Sequence, residues 1–158
     1  NNISIINYEK QYFRVLRDNF TKVYCKQENS MNKNNDTKTF RAGDIVYSHN
    51  DPAEFIFLIH SGKVRIESKH GLELGILESG EIFGEVGHII ESPRTVTAVA
   101  ITNSIIRVID EKTVKEKMNN ADPVLAAIVR GLSLRIGDAN ALAEKHWLEL
   151  SLYKSLGK

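Results

Sequence analysis

The hydrophobic rhythm of the chain changes several times along its length. Between residues 5 and 25, Ile6, Phe13, Leu16, Phe20 and Val23 fall at steps close to three and four, with Lys10, Arg14, Arg17, Asp18 and Lys22 between them. That period predicts an amphipathic helix packed on a neighbouring body. Residues 26–36 are polar almost throughout, which predicts a linker or loop.

From Thr37 to Asp110 the pattern shortens to apolar alternations broken by glycine. Seven of the ten glycines, Gly43 to Gly87, lie in this stretch, the mark of tight turns between strands. Ser61-Gly62, His70-Gly71 and Ser79-Gly80 are the expected turns. The continuous run Phe55-Ile56-Phe57-Leu58-Ile59 predicts a strand buried on both faces, whereas Val64 and Ile66 alternate with Lys63, Arg65 and Glu67 and predict one buried and one wet face. Val96 to Thr102 and Ile105 to Ile109 supply two further strands. Many short strands at this spacing indicate an antiparallel jelly roll.

The period then returns to that of a helix. Asp110 is placed to cap a short helix over 111–118, and Asp122-Pro123 opens a longer one reaching about Tyr153. Val129, Leu132, Ile136, Ala139, Ala143, His146, Leu150 and Tyr153 step by three and four in turn, a heptad-like stripe. Gly131 and Gly137 lie within that helix and predict a bend or a close approach. Trp147 and Tyr153 read as core or interface anchors. The pattern thus divides the chain into an N-terminal helix with a polar linker (1–36), a β-roll (37–120) and a C-terminal helix (121–158). The class is mainly β with flanking helices.

Composition narrows the function classes. At 158 residues and 42% apolar content, one domain with helical extensions has enough material for a core. Twenty-one basic and twenty acidic side chains nearly cancel, so net charge favours neither nucleic acid nor a membrane surface. Cys25 is the single cysteine, which fits a reducing compartment. No apolar run is long enough to span a bilayer, and the first residues lack the basic-then-apolar order of a signal peptide, so the expected location is cytoplasmic. His49, His60, His70 and His88 are scattered through the strand region without a helical i, i+4 pair or a cysteine cluster, and no metal is expected. His88 is expected to face solvent.

The candidate chemistry lies in the segment Phe83-Gly84-Glu85-Val86-Gly87-His88-Ile89-Ile90-Glu91-Ser92-Pro93-Arg94-Thr95-Val96-Thr97, set between two strand regions. A turn glycine, an acid, a helical turn beginning near Val86 and an Arg nine positions after the acid would hold a small anion-bearing ligand from both ends. A guanidinium offers phosphate two parallel hydrogen bonds. A carboxylate accepts from a sugar hydroxyl, and the free N–H groups of a helix start favour negative charge. The combination implies a ribose-plus-phosphate ligand.

These residues resemble the phosphate-binding cassette of cyclic-nucleotide-binding domains, in which Phe-Gly-Glu is followed by a short helix and Pro-Arg-x-x-Thr. The likeness extends upstream through Phe40-Arg41-Ala42-Gly43-Asp44-Ile45-Val46, Asp51-Pro52-Ala53-Glu54 and Ile59-His60-Ser61-Gly62-Lys63-Val64, and covers about residues 37 to 145. The resemblance implies that Glu85 meets the ribose 2′-hydroxyl, that Arg94 meets the cyclic phosphate, and that Gly84, Val86 and Thr95 complete the contact. By analogy with bacterial regulators of the family, Asn140 is the candidate for the purine edge. Asn50 stands where the family usually has Gly, a position Asn tolerates in the left-handed conformation.

The resemblance therefore implies a non-catalytic sensor of cyclic AMP, favoured over cyclic GMP, in which the long helix both covers the ligand and joins two chains as a homodimer. Thr95 leaves the base choice open, since a Thr after the Arg occurs with either nucleotide. With the chain ending at Lys158, no DNA-reading module and no nucleic-acid partner is expected, and the effector is not legible. The alternatives are a jelly-roll metal-dependent enzyme, which bound Zn, Mn or Fe would reveal, and a β-roll interaction module that has lost its nucleotide.

Overall fold

A computed structural model describes residues 37–156, which fall within one compact unit, Asp36–Lys158. The helix expected over 5–25 and the linker over 26–36 lie outside the described residues. Eight strands follow in order: β1 Thr37–Phe40, β2 Ile45–Tyr47, β3 Phe55–Ser61, β4 Lys63–Glu67, β5 Glu73–Glu78, β6 Ile82–Phe83, β7 Thr97–Ala100 and β8 Ser104–Asp110. Helix α1 (Glu85–Ile89) is inserted between β6 and β7, and α2 (Glu111–Asn119) and α3 (Pro123–Leu156) close the described chain.

The strands form two four-stranded antiparallel sheets, ordered β1-β8-β3-β6 and β2-β7-β4-β5. Pairings of β4 with β5, β3 with β6, β2 with β7 and β1 with β8 describe a ribbon folded over on itself, the jelly-roll arrangement the sequence predicts. The expected turn glycines Gly62, Gly71 and Gly80 all have positive φ. Inward side chains of both sheets, Tyr47, Phe57, Ile59, Val64, Phe83, Ala98 and Ile106, make one core. Within it the rings of Tyr47, Phe57 and Phe83 stack with centroids 5.1–6.0 Å apart.

Strand β3 departs from the expectation of burial on both faces. Phe57 and Ile59 point into the core, and on the opposite face, against which α1 and α2 lie, Ile56 is buried but Leu58 only half-buried. Phe55, at the strand end, is 38% exposed. A continuous apolar run cannot reveal that two short helices cover only part of a sheet's outer face.

Both helix starts follow their sequence signals. The Asp110 carboxylate accepts the Thr113 N–H at 2.6 Å, and Asp122 accepts from Val124 and Leu125 at 2.9 and 3.2 Å. On α3 the less exposed positions Ala126, Val129, Ser133, Gly137, Asn140, Glu144 and Leu148 recur at steps of three and four and mark the face turned to the roll. A Cβ on Gly137 would sit 3.6 Å from Val86, so of the two helix glycines this one marks the close approach of α1; around Gly131 there is open space. The heptad-like stripe lies on an adjacent face. Apart from Val129 it is exposed throughout, with Leu132 at 52%, Leu150 at 59% and Tyr153 at 75%. Trp147 and Tyr153 are therefore not core residues. Among the described residues no helix is long and apolar enough to cross a membrane.

Candidate functional site

Strand β6 ends at Phe83, and the chain must turn sharply to enter α1. Gly84 makes that turn in the left-handed region, at φ 78 and ψ 6, so α1 begins at Glu85, one residue earlier than the sequence suggests. A side chain at Gly84 would be strained by its φ and would also meet the Arg94 guanidinium, its Cβ falling 2.8 Å from Nη1. Helix α1 ends through Ser92 N–H donating to Gly87 O at 2.8 Å, after which Pro93 leads into Arg94.

The backbone of Arg94 is fixed from the β2–β3 loop. Its N–H donates to Asp51 O and its own carbonyl accepts the Asn50 N–H, both at 2.8 Å. Asn50 adopts φ 73, the conformation expected where glycine is usual. Asp51 in turn accepts the Ser48 N–H at 2.7 Å and holds the loop.

The Arg94 side chain is only 3% exposed, yet it meets backbone carbonyls and aromatic faces rather than a carboxylate. Nη1 donates to Gly84 O at 2.5 Å and Nη2 to Phe55 O at 2.7 Å. The guanidinium carbon lies 4.3 Å from the Tyr47 ring centroid and 5.4 Å from that of Phe57, so the stacked aromatic trio forms a shelf beneath it. Nε is buried without a hydrogen-bond partner. Burial pulls the Arg94 pKa below its ordinary value, against the upward pull of Tyr47, Asp51, Glu85 and Glu54. An Arg remains protonated under such a shift. The result is a desolvated cation with one of its three nitrogens, Nε, unpartnered.

Burial acts in the other direction on the acids facing it. The Glu85 carboxyl is pushed above its ordinary value by burial, with its own backbone N–H and Arg94 acting downward. Desolvation raises the Tyr47 hydroxyl well above the usual phenol range, against Arg94 and with Glu85, so this side chain is a neutral phenol.

A cavity of about 290 Å³ opens beside these groups. Its walls include all six residues expected from the sequence: Gly84, Glu85, Val86, Arg94, Thr95 and Asn140. Glu85 and Arg94 come from the cassette, while Asn140 reaches the cavity from α3, far along the chain. The sequence reading missed the apolar walls, formed by Ile66 and Leu74 from the β4–β5 hairpin, Ile136 from α3, and the Tyr47 shelf. Two of these had a signal. Ile66 shares the inward alternation of Val64, and Ile136 precedes Asn140 by one helical turn. His88 corrects an expectation. Its ring Nδ1 lies 3.1 Å from Ala53 O rather than facing solvent, and it ties α1 to the β2–β3 loop. Among the described residues no three of His, Cys, Asp and Glu gather as a metal-holding group.

A family profile for the cyclic nucleotide-binding domain matches residues 37–121, more than half of the chain. The chain belongs to that family. A cyclic-nucleotide-binding domain with this arrangement of strands is also similar to solved structures. The cAMP-bound form of the EAL enzyme Bd1971 has a TM-score of 0.61 and 24% identity over 77% of this chain and 34% of that one. A half-site-occupied form of the same enzyme is 27% identical, with a TM-score of 0.53 over 67% of this chain and 98% of that one. The sensor domain of the transcriptional regulator DNR from Pseudomonas aeruginosa has a TM-score of 0.56 at 22% identity, over 67% of this chain and 74% of that one. Among curated proteins, a cGMP-dependent protein kinase of Toxoplasma gondii is 34% identical over 64 residues, 39% of this chain. The chain spans 6% of that kinase's length.

Proposed function

We propose that this domain binds cyclic AMP in the cavity beside Arg94 as a regulatory sensor and does not alter it chemically. The observation that carries the reading is Arg94, a cavity-lining residue whose guanidinium is buried, backed by the Tyr47 shelf and left with an unpartnered Nε–H. A buried donor without a partner is a destabilising arrangement that a phosphate oxygen would satisfy, and phosphate suits a guanidinium better than any neutral acceptor. Glu85, on the adjacent wall, accepts from the ribose 2′-hydroxyl. The first N–H groups of α1, between Gly84 and Val86, add donors towards the phosphate. Thr95 contributes a hydroxyl. The apolar walls of Ile66, Leu74 and Ile136 fit the flat faces of a purine. Asn140 offers a donor and an acceptor to an adenine edge, which favours cyclic AMP over cyclic GMP.

Binding without hydrolysis fits the composition of the walls. Glu85 is the one carboxylate among the described lining residues, with no histidine beside it to form an acid–base pair. The second part of the proposal concerns α3, whose exposed stripe of Leu132, Ile136, Ala139, Ala143, Leu150 and Tyr153 runs alongside its roll-facing surface. A parallel copy of the same helix would cover it and give a homodimer, with Ala139 and Ala143 allowing close approach beside the base pocket. Ligand contact through Asn140 then couples occupancy to the helix pair, whose output passes to an effector.

Calorimetric titration of the protein with cyclic AMP and cyclic GMP, beside Arg94→Leu and Glu85→Ala, tests the reading. Arg94→Leu should lose at least about a hundredfold in affinity, since stripping one partner from a buried charge contact costs about 3–5 kcal/mol. Equal binding by both variants and the parent would remove the pocket assignment. Absence of any titration by the parent would mean a roll that has lost its nucleotide. A preference for cyclic GMP that disappears in Thr95→Ala would reverse the base choice.

A further inference from the structure

Two elements outside the cassette supply cavity walls and also touch each other. One is the β4–β5 hairpin, whose strands carry Ile66 and Leu74 into the cavity and whose connecting turn contains His70. The other is α3, which brings Ile136 and Asn140. Four residues beyond Asn140, on the same helical face, Glu144 reaches that turn. Its Oε1 accepts the His70 backbone N–H at 2.9 Å and lies 2.9 Å from the His70 ring Nδ1. The Glu144 side chain retains only 20% of its exposure, against 48% for His70.

We propose that Glu144 is a positioning residue, latching α3 to the β4–β5 turn through His70 so that Ile136 and Asn140 stay against the opposite wall of the nucleotide pocket. The proposal rests on the cyclic-nucleotide reading of that pocket. Three features make this contact a latch rather than an incidental surface pair. It joins the two walls that would sandwich the base, and it lies one helical turn from Asn140, so a loss of the contact is felt where the base edge would lie. It also uses a main-chain N–H as well as a side chain, which fixes the height of the helix above the turn rather than only attracting two charges. Burial acts upward on the Glu144 carboxyl, yet the His70 N–H, the Ser68 hydroxyl and the His70 ring together hold it below the ordinary carboxylate value. A carboxylate kept ionised by three donors is a stable acceptor for the latch.

The thermodynamic consequence is reciprocal: a ligand touching both walls favours the latched state by as much as the latch favours the ligand. Because variants of one binding site differ mainly in how fast the ligand leaves, removal of the contact should act on escape more than on entry.

Two measurements on the full chain test this. Stopped-flow release of a fluorescent cyclic AMP analogue should be roughly tenfold faster in Glu144→Ala, the effect of losing about one charge-assisted hydrogen bond, with the association rate changed less than about threefold. Glu144→Gln keeps an acceptor for the His70 N–H and should recover most of the difference. His70→Ala keeps the main-chain donor and should fall between the two. Pulsed electron spin resonance between nitroxides at Lys69→Cys and Glu149→Cys, in a Cys25→Ser background, reads the latch directly and without ligand. The protein with Glu144 intact should give a narrow distance distribution. Glu144→Ala should broaden and lengthen it, and saturating cyclic AMP should narrow it again. An unchanged ligand-free distribution in Glu144→Ala overturns the latch, and a changed distribution with an unchanged release rate overturns its positioning role. Should the parent bind neither cyclic nucleotide, the pocket reading fails and the positioning role with it, while the ligand-free distances still decide whether the contact exists.

Discussion

Gly84 carries two separate demands, and substitution can pull them apart. Its φ of 78 lies where an alanine is strained, and its missing Cβ leaves room for the Arg94 guanidinium. The backbone share of Gly84→Ala is about 1–2 kcal/mol. The added methyl would also fall 2.8 Å from Nη1, 3.1 Å from Phe57 and 3.4 Å from Tyr47, so the guanidinium or the ring shelf must shift. Overpacking of that kind costs about 1–3 kcal/mol. The sum, about 2–5 kcal/mol, would be visible in chemical denaturation against the 5–15 kcal/mol typical of a native domain. Gly43→Ala is the control. Its φ of 97 makes it at least as poor a site for alanine, but its Cβ would meet nothing within 4 Å. Urea denaturation and calorimetric titration with cyclic AMP on both variants separate the shares. Gly43→Ala should lose stability and keep its affinity; Gly84→Ala should lose more stability and at least about tenfold in affinity, because the displaced cation leaves the position in which the proposed function has it meet a phosphate. The reasoning fails if Gly84→Ala binds like the parent, or if Gly43→Ala loses affinity as steeply.

Since burial raises the Glu85 carboxyl above its ordinary 4.5, the folded state binds the proton more tightly than the unfolded one, and stability falls as pH rises from 4.5 through the folded value. Glu85→Gln should therefore be the more stable protein at neutral pH, match the parent below pH 4.5, and bind cyclic AMP more weakly; denaturation curves across pH give the comparison. Light scattering should show a dimer for the parent and a monomer for Leu132→Asp with Leu150→Asp, both residues on the exposed stripe and neither lining the cavity; a monomeric parent at micromolar concentration sinks the helix-pair proposal and leaves the pocket untouched. Asp122→Ala removes the acceptor for Val124 and Leu125 and should lower thermal stability by about 0.5–2 kcal/mol, with affinity unchanged.

The parts of the site that were legible in the sequence are those where a residue type is tied to a backbone need or to a charge. Gly84 before Glu85, Asn50 at a left-handed turn and Pro93 before Arg94 each announce themselves locally; of these, Gly84, Glu85 and Arg94 line the cavity, while Asn50 holds the Arg94 backbone. The hydrophobic walls did not. Ile66 and Leu74 look like any strand residue, because an apolar side chain facing a ligand and one facing a core obey the same period. Tyr47 was hidden for the same reason, since its role depends on Arg94 lying over its ring from a strand connection 47 residues later. The engagement of His88 with Ala53 and of His70 with Glu144 likewise depends on distant segments meeting, which no local pattern encodes. The long helix was legible in period and cap, and its heptad-like stripe is exposed; the adjacent face turned to the roll was not legible, because Ala126, Ser133, Gly137, Asn140 and Glu144 form no apolar row.

The folded-over ribbon sets an order in time as well as in space. Partners grow more remote outward from the β4–β5 hairpin: Lys63 meets Glu78, then Phe57 meets Phe83, Ile45 meets Val99, and last Thr37 meets Arg107. Closing each successive loop before its contacts form slows folding, and strand-rich chains of this kind typically fold in milliseconds to seconds. The pocket straddles the middle of that sequence. Glu85 follows β6 directly, but Arg94 is fixed only when its backbone meets Asp51 beside the returning β7, and Asn140 only when α3 docks. A binding site completed so late has little standing in the folding transition state. Nucleotide should then leave the refolding rate nearly unchanged and slow unfolding, so that the ligand acts as a brake on the chain's exit from the native state rather than as a guide into it.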